Sequence, residues 1–164
     1  MKKIFLTLTL YFIFLNPSFS LIEVDITRGN LDPLPIAISP LHVDIKSEEN
    51  KNIKVKDLGS AISEIIEKNF KSTGLFNPIK KEAFVQKSDI AHLKPRFEDW
   101  RLIKAQALVT GKLLVKDEKL KVEFRLWDLT AAKEMTALAF TTTPSNWRRV
   151  AHIISDKIYE RLTG

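Results

Sequence analysis

The sequence predicts an α/β domain in which a mixed β-sheet packs against helices. Several segments alternate apolar and polar residues with a period of two, as strands with one buried face do. Two other segments repeat apolar residues at spacings of three and four, as amphipathic helices do. The predicted order along the chain is strand, strand, helix, short strand, turn, three strands and helix.

Residues 1–20 have the composition of a cleavable export signal. A short basic head precedes a twelve-residue stretch of apolar residues and threonine over residues 4–15, and small residues stand at Ser18 and Ser20. We expect cleavage between Ser20 and Leu21, and therefore a periplasmic protein. The alternative is a membrane anchor, but a helix needs roughly twenty apolar residues to cross a bilayer, and this stretch is shorter.

The chain after the signal has the size of one ordinary domain. Removing 20 of the 164 residues leaves 144, and loss of the two signal lysines lowers the net charge from +6 to +4. A chain of this length buries enough surface for a stable core. The absence of cysteine excludes disulfides and a lipid-modified cysteine, so we expect no stable membrane insertion after cleavage. Acidic and basic residues are mixed along the chain, which is typical of a solvated surface.

Two strands are predicted behind the cleavage point. Residues 21–27 alternate between apolar and polar side chains, with Ile22, Val24 and Ile26 on one side, which predicts a strand with one buried face. Residues 36–38 form a second, short apolar strand.

A helix is predicted from about Lys54. Gly74 follows it and suits the left-handed conformation at a helix C-terminus. A brief strand over residues 76–79 and a short helical turn over residues 97–103 come next. The apolar stripe of the helix consists of Leu58, Ile62, Ile65, Ile66 and Phe70.

Three strands and a helix make up the last third of the chain. Residues 107–115 are nearly all apolar, which predicts a central strand covered on both faces. Residues 120–128 alternate cleanly, and residues 135–143 form the third strand. Ser145 is the predicted N-cap of the final helix. The inward residues of that helix are Trp147, Val150, Ile154 and Ile158, with Ile153 and Leu162 beside them.

The sequence contains no catalytic motif. His42 and Asp44 would share one face of a strand, but their polar surroundings favour a loop. His152 and Asp156, spaced i,i+4 on the last helix, could form half of a metal site, although an ion pair on the helix surface is the simpler interpretation. Spacing does not decide against a Ser-His-Asp site, because such triads assemble in space, yet no Gly-x-Ser-x-Gly turn is present. We expect no catalytic residue, no metal and no cofactor.

The segment behind the cleavage point is the best candidate for function. Chain termini are poorly ordered unless they are tied down. This segment either joins the domain's own sheet or leaves it and pairs with the sheet edge of a partner. In the second case backbone hydrogen bonds would give affinity and the alternating side chains specificity. We divide the chain into the signal (1–20), a mobile N-terminal segment (21–34) and the α/β domain (35–164).

Several blocks of the sequence resemble one known family. The blocks are Phe97-Glu98-Asp99-Trp100-Arg101, residues 105–111 (AQALVTG), residues 120–128 (LKVEFRLWD), residues 143–156 (TPSNWRRVAHIISD) and residues 158–164 (IYERLTG). In this order they resemble the amino-terminal domain of the TolB family of the periplasmic Tol-Pal system, nearest to its alphaproteobacterial form. The resemblance extends from about residue 21 to residue 164.

The resemblance implies a three-layer domain around a mixed sheet of about five strands, similar in architecture to the anticodon-binding domains of some tRNA synthetases but with no nucleic-acid partner. It implies no enzyme activity. It implies a role in outer-membrane invagination during cell division and in outer-membrane integrity. The implied partner is TolA, an inner-membrane protein, and the residues that would bind it are Leu21, Ile22, Glu23, Val24, Asp25, Ile26, Thr27, Arg28, Gly29, Asn30, Leu31 and Asp32.

The sequence departs from the family at its end. Family members continue into a six-bladed β-propeller that binds the lipoprotein Pal, whereas this sequence ends at Gly164. Pal is therefore expected as a partner only if a propeller domain is supplied. A smaller departure is the glycine-free turn at residues 116–119, which predicts a longer or less tight hairpin.

An alternative function belongs to a different class. A secreted α/β domain with a positive net charge could bind anionic polymers, and its affinity would then fall steeply with salt.

Overall fold

The fold is a mixed sheet with helices on both faces. The computed structural model describes residues 22–24, 32–44 and 55–164. Within these ranges the strands are β1 (Leu34–Ile38), β2 (His42–Asp44), β3 (Phe76–Pro78), β4 (Ala107–Lys116), β5 (Lys119–Asp128) and β6 (Lys133–Thr142). The helices are α1 (Val55–Thr73), α2 (Ser88–Ala91), α3 (Phe97–Leu102) and α4 (Trp147–Thr163), with single 3₁₀ turns at Lys81–Ala83 and Pro144–Asn146.

The sheet combines a parallel and an antiparallel half. Its strand order is β3-β1-β4-β5-β6, and β2 pairs with the second half of β4. β1 and β2 run parallel to β4, and β3 runs parallel to β1. Parallel neighbours need a long crossover, which α1 supplies between the first and third strands. β4, β5 and β6 form an antiparallel meander joined by short turns.

The two faces of the sheet are covered by different helices. Ile36 and Ile38 belong to a large core that also includes the inner sides of α1 and α4. Ala37 between them belongs to a smaller core on the other side, together with Trp100 of α3 and Leu108 of β4. Successive residues of a strand point to opposite faces, so the two cores lie on opposite sides of the sheet. The predicted three-layer α/β architecture is confirmed, with six strands rather than about five among the described residues.

Both long helices bury the stripes that the sequence predicts. In α1 the buried apolar residues are Leu58, Ile62, Ile66 and Phe70, and Gly74 follows with a φ of 71°. In α4 the buried apolar residues are Val150, Ala151, Ile154, Ile158 and Leu162. Ile65 and Trp147 of the predicted stripes are only partly buried. The covered central strand is also confirmed, because seven of the nine residues 107–115 are buried.

Two strand predictions near the start of the chain are wrong. Residues 22–24 form no strand, although the alternation predicts one over residues 21–27. His42–Asp44 is a strand rather than a loop, because it pairs in parallel with residues 112–114 of β4. Residues 45–54 lie outside the described ranges. Local sequence patterns reveal neither the missing strand at residues 22–24 nor the strand at His42–Asp44, because both depend on pairing with distant parts of the chain.

Two local expectations are also corrected. The hairpin between β4 and β5 is tight, because Lys116 pairs directly with Lys119 and only two residues connect them. Asp117 and Glu118 adopt φ values of 48° and 55° without glycine. Ser145 is not the N-cap of the last helix. It lies in the 3₁₀ turn, and the N-cap position belongs to Asn146, whose side chain makes no capping hydrogen bond.

Candidate functional site

The structure describes four residues of the predicted partner-binding segment, which are Ile22, Glu23, Val24 and Asp32. Ile22 and Val24 contact the domain, and Asp32 is exposed. Ser20 and Leu21 at the predicted cleavage point lie outside the described residues, as do Asp25, Ile26, Thr27, Arg28, Gly29, Asn30 and Leu31. The site can therefore be described from residues 22–24 and from the surface on which they lie.

A buried carboxylate holds the backbone of Ile22. Asp128 is the last residue of β5 and is 0% exposed. Its Oδ2 accepts the backbone N–H of Ile22 at 3.0 Å, and its Oδ1 accepts the backbone N–H of Ala131 at 2.8 Å. Asp128 thus joins the N-terminal segment to the turn between β5 and β6.

The end of α4 holds the backbone of Val24. Its N–H donates to the carbonyl oxygen of Leu162 at 2.7 Å. The last four carbonyls of a helix lack partners within the helix, so this bond satisfies a group that the helix itself cannot. The Val24 side chain is 8% exposed and belongs to the large core, and Ile22 packs against the same core.

Glu23 lies between Ile22 and Val24 in the chain and, unlike Val24, is exposed. It borders an open cavity of about 440 Å³ between the segment, α4 and β6. Near it on α4, Lys157 donates to Glu160 Oε2 at 2.7 Å, and this hydrogen bond raises the pKa of the Lys157 ammonium. The cavity is lined by Glu23, Thr136, Leu138, Lys157, Glu160, Arg161 and Gly164.

β6 forms the outer edge of the sheet beside this cavity. Among the described strands it pairs only with β5. Leu138 on this strand is 41% exposed. Unpaired strand edges can accept a further strand, so the docked segment lies close to an edge with pairing capacity.

The three histidines occupy two separate places. The rings of His42 and His92 stack with centroids 4.3 Å apart. His92 also borders a small cavity of about 140 Å³. In that cavity Glu123 accepts a hydrogen bond from Lys121, which lowers the pKa of the Glu123 carboxyl. His152 Nδ1 lies 3.0 Å from Nδ2 of Asn69, which joins α4 to α1.

The described ranges contain no cluster of three or more metal-ligating side chains. No helix within the same ranges combines the length and the apolar character needed to cross a bilayer.

The two residues that anchor the segment, Asp128 and Leu162, are not predicted as functional residues by the sequence pattern. Asp128 lies at the end of the alternating segment 120–128, and the alternation gives no sign that its carboxylate is buried. Leu162 was predicted to lie beside the inner face of the helix, but its functional atom is a backbone carbonyl, which no side-chain pattern identifies. The one sequence feature that draws attention to Asp128 is its position directly after Trp127, within a block that carries the family resemblance.

Comparisons with known proteins identify the family. A family model described as the TolB amino-terminal domain matches residues 22–135. The Tol-Pal system protein TolB of Pelagibacter ubique strain HTCC1062 is 69% identical over 149 residues, which is 90% of this chain and 33% of that protein. The chain therefore spans about a third of the length of this curated relative.

Solved structures share the fold. The crystal structure of TolB from Acinetobacter baumannii has a TM-score of 0.64 at 21% identity, covering 87% of this chain and 31% of that one. The hypothetical protein CT253 from Chlamydia trachomatis has a TM-score of 0.57 at 14% identity, covering 79% of this chain and 98% of that one. Identities this low establish the architecture alone. Because the family model covers most of the sequence, the chain belongs to the TolB family and corresponds to its amino-terminal domain.

Proposed function

We propose that this chain is the amino-terminal part of a non-enzymatic, periplasmic component of the Tol-Pal system. Residues 1–20 direct its export, and cleavage leaves Leu21 as the first residue. The mature protein acts in outer-membrane invagination during cell division and in outer-membrane integrity. Membership of the TolB family and a 69% identical relative named as a Tol-Pal system protein support this proposal.

The mature N-terminal segment, residues 21–32, binds TolA by adding a strand to it. The observation that carries this is the way residues 22–24 lie on the domain without joining its sheet. Two backbone hydrogen bonds and the burial of Val24 hold them. A hydrogen bond contributes about 1 kcal/mol net and a buried valine roughly 1.5–3 kcal/mol, so these three contacts together contribute only a few kcal/mol to docking. The freed backbone groups can then pair with a partner's edge.

Pal is a partner only when a propeller domain is supplied. The family places Pal binding on that domain, so no residue of this chain is assigned to it. The anionic-polymer alternative needs a continuous basic face. Several basic side chains on the described surface pair with carboxylates instead, among them Lys81, Arg101, Lys112, Lys121, Arg125 and Lys157.

Calorimetric titration with the periplasmic domain of TolA tests the segment directly. We expect the chain beginning at Leu21 to bind, and the chain lacking residues 21–32 to lose binding while its far-ultraviolet circular dichroism stays the same. A free peptide of residues 21–32 should also bind TolA, because no docking on the domain competes with this binding. The matched control is a peptide of the same composition with the alternation removed. Undiminished binding by the shortened chain would refute the assignment.

A further inference from the structure

The two outer edges of the sheet differ in their protection against further pairing. Natural edge strands avoid unwanted pairing by being short, or by carrying charged residues, proline or a bulge. β3, at one edge, has only three residues and ends with Pro78. β6, at the other edge, has ten residues and pairs only with β5 among the described strands. Residues 136–142 of β6 include no charged residue and no proline, so this stretch lacks the usual protection.

The unprotected stretch of β6 has defined limits. At its start, Met135 is skipped in the pairing with β5, and its carbonyl accepts a hydrogen bond from Nε of Arg161 on α4. At its end, the Thr143 carbonyl accepts the backbone N–H of Asn146 at 3.0 Å in the following 3₁₀ turn. Between these limits residues 136–142 pair with β5 in regular antiparallel register. Their outward backbone groups therefore form a straight edge on which a further strand can pair.

This stretch is complementary to itself. Antiparallel overlap of residues 136–142 with the same residues of a second copy places Ala139 opposite its own copy, on a two-fold axis. Leu138 then lies opposite Phe140 of the second copy, and Thr136 lies opposite Thr142. Cross-strand pairs that bring apolar and aromatic side chains together, or two threonines, stabilise a sheet. Because the stretch has no charged residue, no like charges meet within it.

The side chains of this stretch leave room for a second copy. Residues 136, 138, 140 and 142 pair with buried residues of β5 and lie on the face that carries the large core. Leu138 is 41% exposed among them, so an aromatic ring opposite it would remove apolar area from water. On the other face, the exposed Ala137 and Ala139 are too small to block the approach of another backbone.

We propose that β6 is a self-association surface, on which two copies of this chain pair antiparallel and continue the sheet across a two-fold axis. The occupant is a second copy because residues 136–142 match themselves in register and present no charge that would repel their own copy. Interfaces of this small size are weak and transient, so the dimer forms only at high local concentration. Neither residues 21–32 nor TolA takes part in this interface, which makes it separate from the proposed function.

Sedimentation velocity of the processed chain at increasing protein concentration tests the association itself, because the dimer fraction follows mass action. We expect a monomer–dimer equilibrium with a dissociation constant on the order of 100 μM. A chain that stays monomeric up to about 1 mM overturns the proposal. The chain lacking residues 21–32 should dimerise equally well. If it does not, the N-terminal segment of another copy supplies the added strand, and the pairing of β6 with itself is wrong.

Charge substitutions at Ala139 test the two-fold register. Ala139→Lys and Ala139→Glu each place like charges opposite one another, so each should raise the dissociation constant at least about tenfold. An equimolar mixture of the two should dimerise again, because lysine then faces glutamate. Asn77→Lys and Asn77→Glu are the matched controls, since Asn77 is exposed on the opposite edge strand β3, and they should dimerise as the parent does. Far-ultraviolet circular dichroism checks that every variant is folded. Folded Ala139 variants that dimerise as the parent does, or a mixture that stays monomeric, would overturn the proposal.

Discussion

Gln86 shows how one buried polar side chain can organise a long irregular stretch. It is 3% exposed. Its Oε1 accepts the backbone N–H of Arg96 and the indole N–H of Trp100, both at 2.9 Å. Trp100 is itself fully buried in the smaller core. One side chain therefore fixes the connection between β3 and α3 against that core.

Replacing Gln86 tests this role at the level of a single residue. Gln86→Met keeps the side-chain length but removes the acceptor, so two donors lose their partner. A buried donor without a partner costs about 1–3 kcal/mol, and we expect a loss of about 2 kcal/mol in the free energy of unfolding, measured by urea denaturation. Gln106→Met, at an exposed position, is the control and should change stability by less than about 0.5 kcal/mol. Equal effects of the two substitutions would contradict the role of the Gln86 hydrogen bonds.

Residue patterns identified the apolar core well and the buried polar groups poorly. The predicted stripe of α1 is buried because its period matches the helix. Asp128 and Gln86 are buried as well, but hydropathy assigns such residues to the surface. Their burial depends on partners that are distant in sequence, as the separation between Asp128 and Ile22 illustrates.

At the level of elements, α1 approaches the backbone before β2 unusually closely. The Leu41 N–H donates to the Gly59 carbonyl at 3.2 Å. Ser63 Oγ, one turn further along α1, donates to the Ser39 carbonyl at 3.0 Å. A Cβ added at Gly59 would lie 2.0 Å from the Leu41 carbonyl oxygen. The helix can therefore pack here only because residue 59 has no side chain.

Gly59→Ala has two effects of opposite sign on the free energy of unfolding. Alanine in a helix interior is favoured over glycine by about 1 kcal/mol, whereas forcing atoms into a packed contact costs about 1–3 kcal/mol. Because the neighbour is backbone and cannot rotate away, we expect a cost near the upper end of that range and a net loss of about 1–2 kcal/mol in the free energy of unfolding, measured by urea denaturation. Gly74→Ala is the comparison. No atom lies within 4 Å of its added Cβ, and its φ is +71°, so we expect only the smaller cost of the left-handed backbone, about 1 kcal/mol. A Gly59→Ala variant more stable than the parent would show that the helix shifts freely.

The sequence predicted elements best where their pattern is local. The long helices and β4 to β6 were found from period and composition, with bounds that differ by a few residues. β2 was missed because three residues hardly make a pattern and its parallel partner lies about seventy residues away. The tight turn was missed because Asp117 and Glu118 adopt positive φ without glycine, which aspartate tolerates better than most residues.

At the scale of the whole molecule, the observed docking of the N-terminal segment and its proposed binding to TolA would exclude each other. The N–H of Val24 donates to α4 and its side chain lies in the core. The same groups would be needed for strand addition to TolA. The apparent affinity for TolA is then the intrinsic affinity reduced by the fraction of molecules with a free segment. Anything that strengthens docking therefore weakens partner binding.

A reversible cross-link tests this competition. Glu23 and Glu160 border the same cavity and are both exposed, and the sequence contains no cysteine. Glu23→Cys and Glu160→Cys therefore introduce the only two thiols, which a bismaleimide with a reducible centre can join across the cavity. We expect the linked protein to lose measurable TolA binding and to regain it when the linker is reduced. Each single-cysteine variant treated with the same reagent measures the effect of losing that glutamate and carrying the reagent, and the linked protein should bind more weakly than either of them. If the linked protein binds normally, docking and partner binding are compatible, and the segment would have to meet TolA without leaving the domain.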